Sequence, residues 1–201
     1  MKILFATTNK AKIRYYAHKL KEYGVDILTL SDIGLSIDVE ETGKTPLENA
    51  IIKAKTYAKA SQYPTISLDD GLFFDTLPDM LQPNTHVRRV HGRYLNDEEM
   101  IEHYIGLVNQ YGSDGKLFGY FLKGVALSYG ETLLTFEKKT PRCFTNQRSP
   151  IIDEGYPLAS IQMIPEFNKF KSELSDEEEM LSMDVEQKEL FDFMIQSIQR
   201  L

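Results

Sequence analysis

The sequence predicts a mixed α/β fold, and three observations carry that prediction. Short apolar runs at Lys2–Ala6, Val25–Leu30 and Thr65–Leu68 are separated by amphipathic stretches, the pattern of buried strands joined by crossover helices. Leu117–Ser128 and Thr132–Lys138 are rich in β-formers and flank Tyr129-Gly130-Glu131, which predicts an antiparallel hairpin. No repeat, linker or low-complexity segment interrupts the chain. A parallel N-terminal half joined to that hairpin gives one mixed sheet flanked by helices. The length of 201 residues fits a single domain or one two-lobed unit spanning 1–201.

Element by element, the first run ends in Thr7-Thr8-Asn9-Lys10-Ala11-Lys12 and leads into a helix to about Tyr23, stopped by Gly24. A turn at a helix start offers backbone N–H groups and a positive dipole end to an anion. The same turn also reads as an ordinary capped helix, with Thr8 or Asn9 as the cap. Val25–Leu30 is the second strand, and 31–39 leads into the segment on which the functional reading rests. After Leu72, Phe73-Phe74-Asp75 reads as extending an apolar strand, and residues 76 to 85 hold Pro78 and Pro83 and read as loop. His86–Tyr94 is a local basic cluster, either a solvated strip or part of a phosphate or dimer contact. Asn96 starts a helix to about Gln110, and Gly112–Gly115 forms a turn. Phe144–Gln147 reads as an added edge strand, and 149 to 172 as irregular ordered loop. Ser175–Glu179 caps a short helix, and Val185–Leu201 is a closing amphipathic helix with Leu190, Phe191, Met194 and Ile198 inward.

The informative segment runs from Glu40 to Leu72, opened by Glu40-Glu41 and closed by Asp69-Asp70. Between them lies a helix with a marked start: Thr45 as cap, Pro46 at the first helical position and Glu48 completing a capping box. Leu47, Ala50, Ile51, Ala54 and Ala58 share its apolar face; Asn49, Lys53 and Thr56 share a polar flank. Asp69-Asp70-Gly71 stands at the end of the short strand Thr65–Leu68, where α/β proteins place ligands. If the two acidic pairs meet, they present carboxylates to a hard divalent cation beside the Lys53 ammonium, a site for metal-assisted attack on a polyphosphate.

Composition narrows the alternatives. A net charge of −7 disfavours binding to a nucleic-acid polymer, which needs basic surface, yet allows a small anionic substrate held by local cations. Cys143 is the single cysteine, so no intrachain disulfide forms, and it reads as a small core residue. The N-terminal apolar run is too short for a signal peptide and no run reaches membrane-spanning length. The expected compartment is the cytoplasm.

These residues resemble the inosine triphosphate pyrophosphatase family, nearly end to end. Phe5–Lys12 is similar to the family's first phosphate loop. Glu40-Glu41-Thr42-Gly43 with Glu48-Asn49-Ala50 and Lys53-Ala54 is similar to its most recognisable stretch. Leu68-Asp69-Asp70-Gly71-Leu72 resembles its acidic motif, Arg93-Tyr94 its Ala-Arg-Tyr, and Ser172–Ser175 its C-terminal Ala-Glu-Leu. The resemblance implies an elongated, two-lobed mixed α/β fold and a homodimer. It implies hydrolysis of a nucleoside triphosphate to the monophosphate and pyrophosphate with Mg²⁺. Asp69 would be the general base and share the metal with Glu40; Glu41 is the alternative if the register shifts by one. Thr7, Thr8, Asn9, Lys10, Ala11, Lys12 and Lys53 would hold the triphosphate, and Asp70, Gly71, Leu72, Gly155 and Tyr156 would line the substrate.

The departures from the family are specific. Leu68 stands where a second acid precedes the base, and Asp70 where Ser or Thr is normal. Glu154-Gly155-Tyr156-Pro157 lacks the closing carboxylate of the family's Phe-Gly-Tyr-Asp. A C-terminal Lys falls near Glu179, and the base-reading Ser-His-Arg has become Ser182-Met183-Asp184. The leading reading is therefore a pyrophosphohydrolase with altered base specificity. A nucleotide-binding member that has lost catalysis, and a related phosphatase acting on another phosphate ester, remain the alternatives.

Overall fold

The structure, a computed structural model, describes residues 1–201. The side chains of Ala11 and Asp184, both singled out above, lie outside the described residues. Among the described residues the main sheet runs in the order β2-β1-β3-β6-β7-β8-β9. Its strands are β1 (Lys2–Phe5), β2 (Asp26–Thr29), β3 (Thr65–Phe74), β6 (Lys116–Tyr129), β7 (Thr132–Thr145), β8 (Gln162–Ile164) and β9 (Lys169–Phe170). A small antiparallel pair, β4 (Arg89–Val90) and β5 (Arg93–Tyr94), stands apart from it in pairing. The expected mixed α/β sheet flanked by helices is present. The chain divides into two compact units: Met1–Asp70, Lys123–Lys138 and Gln187–Leu201 form one, Gly71–Leu122 and Lys139–Glu186 the other.

In the first unit β1 pairs parallel with both β2 and β3. The two-residue alternation of strands assigns side chains to opposite faces. Ile3, Phe5, Ile66, Leu68, Val125 and Leu127 point to one face, where they pack against Tyr16, Leu20, Leu190, Phe191 and Met194. Leu68 is thus a core side chain. Ala126 points to the other face and packs on Ala50 and Ala54 of α3 (Pro46–Ser61). Leu4 and Ala6 also point there, with Leu30 and Tyr57. The helical run after β1 comprises α1 (Lys10–Lys12), a π-helical turn (Ile13–Ala17) and α2 (His18–Glu22), ending before Gly24 at φ +78°.

The second unit has its own core: Leu72, Phe74 and Phe144 against Met100, Ile101 and Tyr104 of α4 (Asp97–Tyr111). Asn96 and Glu99 form the capping box of α4. In the basic segment Arg88 pairs with Asp97 and Arg93 with Glu99.

Four expectations change. Asp69-Asp70-Gly71 lies inside β3 rather than at its end, because Leu72, Phe73 and Phe74 continue the strand, as the apolar run at Phe73-Phe74-Asp75 suggested. Phe144 belongs to β7, which carries its pairing through the polar Lys138–Arg142; the edge strands are β8 and β9. Cys143 is half-buried on that strand and not a core residue. Residues 176 to 199 form one continuous helix, α5 (Asp176–Gln199), since nothing between Met180 and Val185 breaks it.

The close seating of α3 generates a prediction. A Cβ on Gly124 would overlap the backbone of Pro46 and Leu47, and backbone at a helix start cannot yield as a side chain does. Gly124→Ala therefore destabilises the protein by about 1–3 kcal/mol, the usual cost of overpacking. Urea denaturation measures it, with an unchanged midpoint as the contrary result.

Candidate active site

The start of α3 follows from local chemistry. Thr45 Oγ1 accepts from the Glu48 N–H at 3.2 Å, as expected. Glu48 returns the bond one residue earlier than a capping box requires, to the Lys44 N–H. One turn apart on this helix, Asn49 and Lys53 reach the same strand position, because residues four apart share a face. Lys53 Nζ lies 2.8 Å from Asp69 Oδ1 and 2.8 Å from Glu41 Oε1. Asn49 Nδ2 donates to Asp69 Oδ2 at 3.2 Å, and its Oδ1 accepts from the Gly43 N–H at 2.8 Å. Asn49 is 1 % exposed, so the polar flank it shares with Lys53 is turned to the strand at this position and not to solvent. A Cβ on Gly43 would strike Asn49 and Glu48, so glycine is required where the loop meets the helix. A further turn along, the Tyr57 hydroxyl donates to the Ile37 carbonyl at 2.8 Å. Asn49, Lys53 and Tyr57 together fasten the connection between β2 and α3 onto the helix.

Asp70 points the other way, to the face carrying Ile66 and Leu68. Its Oδ2 is 2.7 Å from Lys12 Nζ and its Oδ1 2.8 Å from Lys123 Nζ. Burial alone would raise the Asp70 pKa; the two ammonium groups outweigh it and hold the carboxyl well below the usual range. Burial pulls Lys12 and Lys123 down, and Asp70 outweighs it in turn, holding both above the ordinary lysine value. Lys123 also hydrogen-bonds the Tyr16 hydroxyl, whose pKa burial raises. Tyr16 in turn donates to Gln187 Oε1 at 3.4 Å. Tyr16 lies within the π-helical turn, a local distortion frequent at functional sites.

The expected phosphate turn precedes this cluster. Asn9 Oδ1 accepts from the Lys12 N–H, so Asn9 rather than Thr8 is the cap. Thr7 Oγ1 accepts from the Asn9 N–H; Thr8 and Lys10 are exposed. Lys12, Lys53, Asp69 and Asp70 therefore lie on neighbouring contacts of one unit. Glu40 is exposed and makes no side-chain hydrogen bond or ion pair among the described residues, whereas Glu41 is held by Lys53. Gly71, Leu72, Gly155 and Tyr156 belong to the second unit. There Leu72 donates its N–H to the Asn84 carbonyl and is fully buried. Gly155 donates its N–H to Asp97 and accepts from Arg88. Tyr156 is half-exposed.

The donor set suits magnesium. That ion takes one or two carboxylates, retains waters and bridges phosphate oxygens; Asp69 and Glu41 present such groups beside the Lys53 ammonium, and Glu40 adjoins Glu41 in the chain. No cluster of three or more His, Cys, Asp or Glu side chains that could hold a metal occurs among the described residues.

Periodicity missed Lys123, Tyr16 and Gln187. Lys123 left one signal: it is the only charged residue between Leu117 and Tyr129.

The Ham1 family model matches residues 3–156. This chain belongs to the Ham1 family. Similar proteins include the dITP/XTP pyrophosphatases of Escherichia coli strain K12, 31 % identical with 88 % of each chain covered, and of Yersinia pseudotuberculosis, 30 % identical with the same coverage. The HAM1 protein of Coxiella burnetii has the same fold, with a TM-score of 0.78 at 22 % identity over 98 % of this chain and 99 % of that one. The Ham1 protein of Staphylococcus aureus gives 0.71 at 24 % identity over 89 % of each. The enzyme class expected from the sequence, nucleoside triphosphate pyrophosphatase, is that of these curated relatives.

The ion pairs of Asp70 set a pH dependence. Its pKa is lowered by folding, so the unfolded chain takes up the proton first as pH falls. The stabilisation is complete above the unfolded value of about 3.9 and is lost as pH drops through the lower folded value. For Lys12 and Lys123 the folded values are raised, so their contribution persists below about 10.4 and is lost as pH rises beyond it. Asp70→Asn is expected to lower stability near neutrality by about 1–3 kcal/mol and to flatten the acid limb. Urea denaturation at pH 6 and pH 3 measures both; an acid limb of unchanged steepness is the contrary result.

Proposed function

We propose that this protein is a magnesium-dependent nucleoside triphosphate pyrophosphohydrolase, cleaving an NTP to its monophosphate and pyrophosphate, with a base preference different from that of its relatives. The observation that carries the reading is Asp69, buried between Lys53 and Asn49 beside the Glu40-Glu41 pair. In the reaction a water oxygen bonds to the α-phosphorus as the bond to the bridging oxygen breaks. Asp69 accepts the proton of that water. Asn49 orients the carboxylate, and Lys12 and Lys53 neutralise the departing pyrophosphate. Magnesium, held by Glu40 and Asp69, would supply charge neutralisation at the phosphate oxygens. Glu40 suits the ion better than Glu41, whose carboxylate Lys53 already holds. Thr7 to Lys12 would hold the phosphates, and Asp70 would line the substrate. The resemblance to the family supports a homodimer acting in the cytoplasm; no helix among the described residues is long and apolar enough to cross a membrane.

The test is a panel of NTPs and dNTPs with Mg²⁺, read separately for pyrophosphate and orthophosphate. Asp69→Asn abolishes turnover while the fold persists, because an amide takes no proton from water. Lys53→Ala weakens triphosphate binding or turnover at least tenfold, since a charge-assisted contact is worth about 1.5–3 kcal/mol, and affects monophosphate less. Full activity in Asp69→Asn would remove the assignment. If no nucleotide is cleaved yet triphosphates bind, the second reading holds, a binding protein without turnover; Leu68 in place of an acid favours it.

The altered base preference rests on residues 182 to 184. The family reads a 6-oxopurine with donors, and Met183 supplies none, while an ionised Asp184 only accepts. Buried unpaired polar groups cost about 1–3 kcal/mol each, so inosine and xanthosine triphosphates are expected to be cleaved about a hundredfold less efficiently than an amino-bearing nucleotide. The other arginine-bearing segment is occupied: Arg142 binds both oxygens of Glu186, and Arg148 binds Glu98. Measured kcat/KM across the panel decides it, and inosine triphosphate as the best substrate is the contrary result.

A further inference from the structure

Six charged groups lie along β3, three on each face. Lys12 and Lys123 close on Asp70, at 2.7 and 2.8 Å. Lys53 closes on Asp69 and Glu41, each at 2.8 Å. On the face of Asp69 one ammonium meets two carboxylates, whereas on the face of Asp70 two ammonium groups meet one, so a phosphoryl anion is drawn to the Asp70 side and finds Asp70 as its competitor there. Asp70 alone bridges two lysines, one carboxylate oxygen to each. Two oxygens of a phosphoryl group can make the same bridge, since a charged phosphate oxygen accepts from an ammonium as a carboxylate oxygen does. The three side chains are 15–23 % exposed, so the bridge is reachable from solvent.

We propose that Lys12 and Lys123 form a phosphoryl subsite and that Asp70 is its built-in occupant, a specificity-determining residue that competes with the pyrophosphate product for the two lysines. The inference rests on the proposed hydrolysis for the identity of its ligand. It adds two roles to that reading: Lys123 as a phosphate contact and Asp70 as an internal anion that keeps product affinity low. Tyr16, held between Lys123 and Gln187, fixes the lysine in place.

The experiment is calorimetric titration of the full chain with inorganic pyrophosphate, with folding of each variant checked by circular dichroism. Asp70→Asn removes the competing charge and is expected to bind pyrophosphate at least tenfold more tightly than the natural chain. Lys123→Gln removes one wall and is expected to bind it at least tenfold more weakly; this arm holds even where Asp70→Asn does not fold. A Lys123 that serves only to neutralise Asp70 would leave pyrophosphate affinity unmoved. Unchanged affinity in either folded variant overturns the proposal. The nucleotide panel separates this result from the hydrolase reading. A chain that cleaves no nucleotide but shows both shifts keeps the subsite and loses the hydrolase; one that cleaves nucleotides without either shift does the reverse.

Discussion

The site depends on the two-residue period of one strand. Consecutive residues of β3 face opposite sides of the sheet, so Asp69 and Asp70 cannot share a partner set. Asp69 faces α3 and takes Lys53 and Asn49; Asp70 faces the helical run after β1 and takes Lys12 and Lys123. A carboxylate withdrawn from water is costly unless paired and hydrogen-bonded. Two adjacent ones inside a strand therefore require a cation on each face. The chain supplies them from three separate segments: the first helical run, α3 and β6. Losing any one lysine leaves an underneutralised carboxylate inside the sheet, which ties the stability of the unit to its charge pattern.

The face of β3 turned to α3 is polar and small where the opposite face is apolar. Thr65, Ser67 and Asp69 alternate with Ile66 and Leu68. Across from them α3 presents Ala50 and Ala54, and the backbone at its start reaches Gly124. Small residues on both sides let the helix approach closely. Close approach is what lets a short side chain such as Asn49 reach both the strand and the Gly43 N–H. Packing and chemistry are thus one constraint: a larger residue at position 50, 54 or 124 would lift the helix and lengthen the contacts of Asp69.

What the sequence revealed follows the range over which each feature is encoded. The cap of α3 was legible because Thr45, Pro46 and Glu48 lie within one turn and act locally. The buried strands were legible from apolar runs. The pairing of Asp70 with Lys12 and Lys123 was not, because it joins segments far apart in the chain, and no local pattern states which face of a long strand a residue takes when the strand's end is misplaced. Ending the third strand at Leu68 hid the alternation that separates the two aspartates. The grouping of Asn49 with Lys53 on one polar flank was legible from helical spacing, but the buried carboxylate they share was not, because it lies on a separate strand. The continuous α5 was missed because its middle, Met180 to Val185, lacks the hydrophobic period, yet nothing in it stops a helix.

On the proposed mechanism the two faces also divide the labour that triphosphate cleavage demands. Asp69 must free a lone pair for water, and in the resting arrangement Lys53 occupies its Oδ1. On the proposed mechanism a phosphate oxygen competes for Lys53 and draws the ammonium away, so the carboxylate becomes available only once substrate is in place. Glu41 stays on the same lysine and limits how far it can travel. On the opposite face Asp70 meets the same competition from its own side, with two lysines to surrender instead of one. The first exchange arms the base, and the second sets how firmly the leaving pyrophosphate is held. Because a strand fixes the two carboxylates back to back, each exchange proceeds against its own lysines, and binding energy at one face need not be lost at the other.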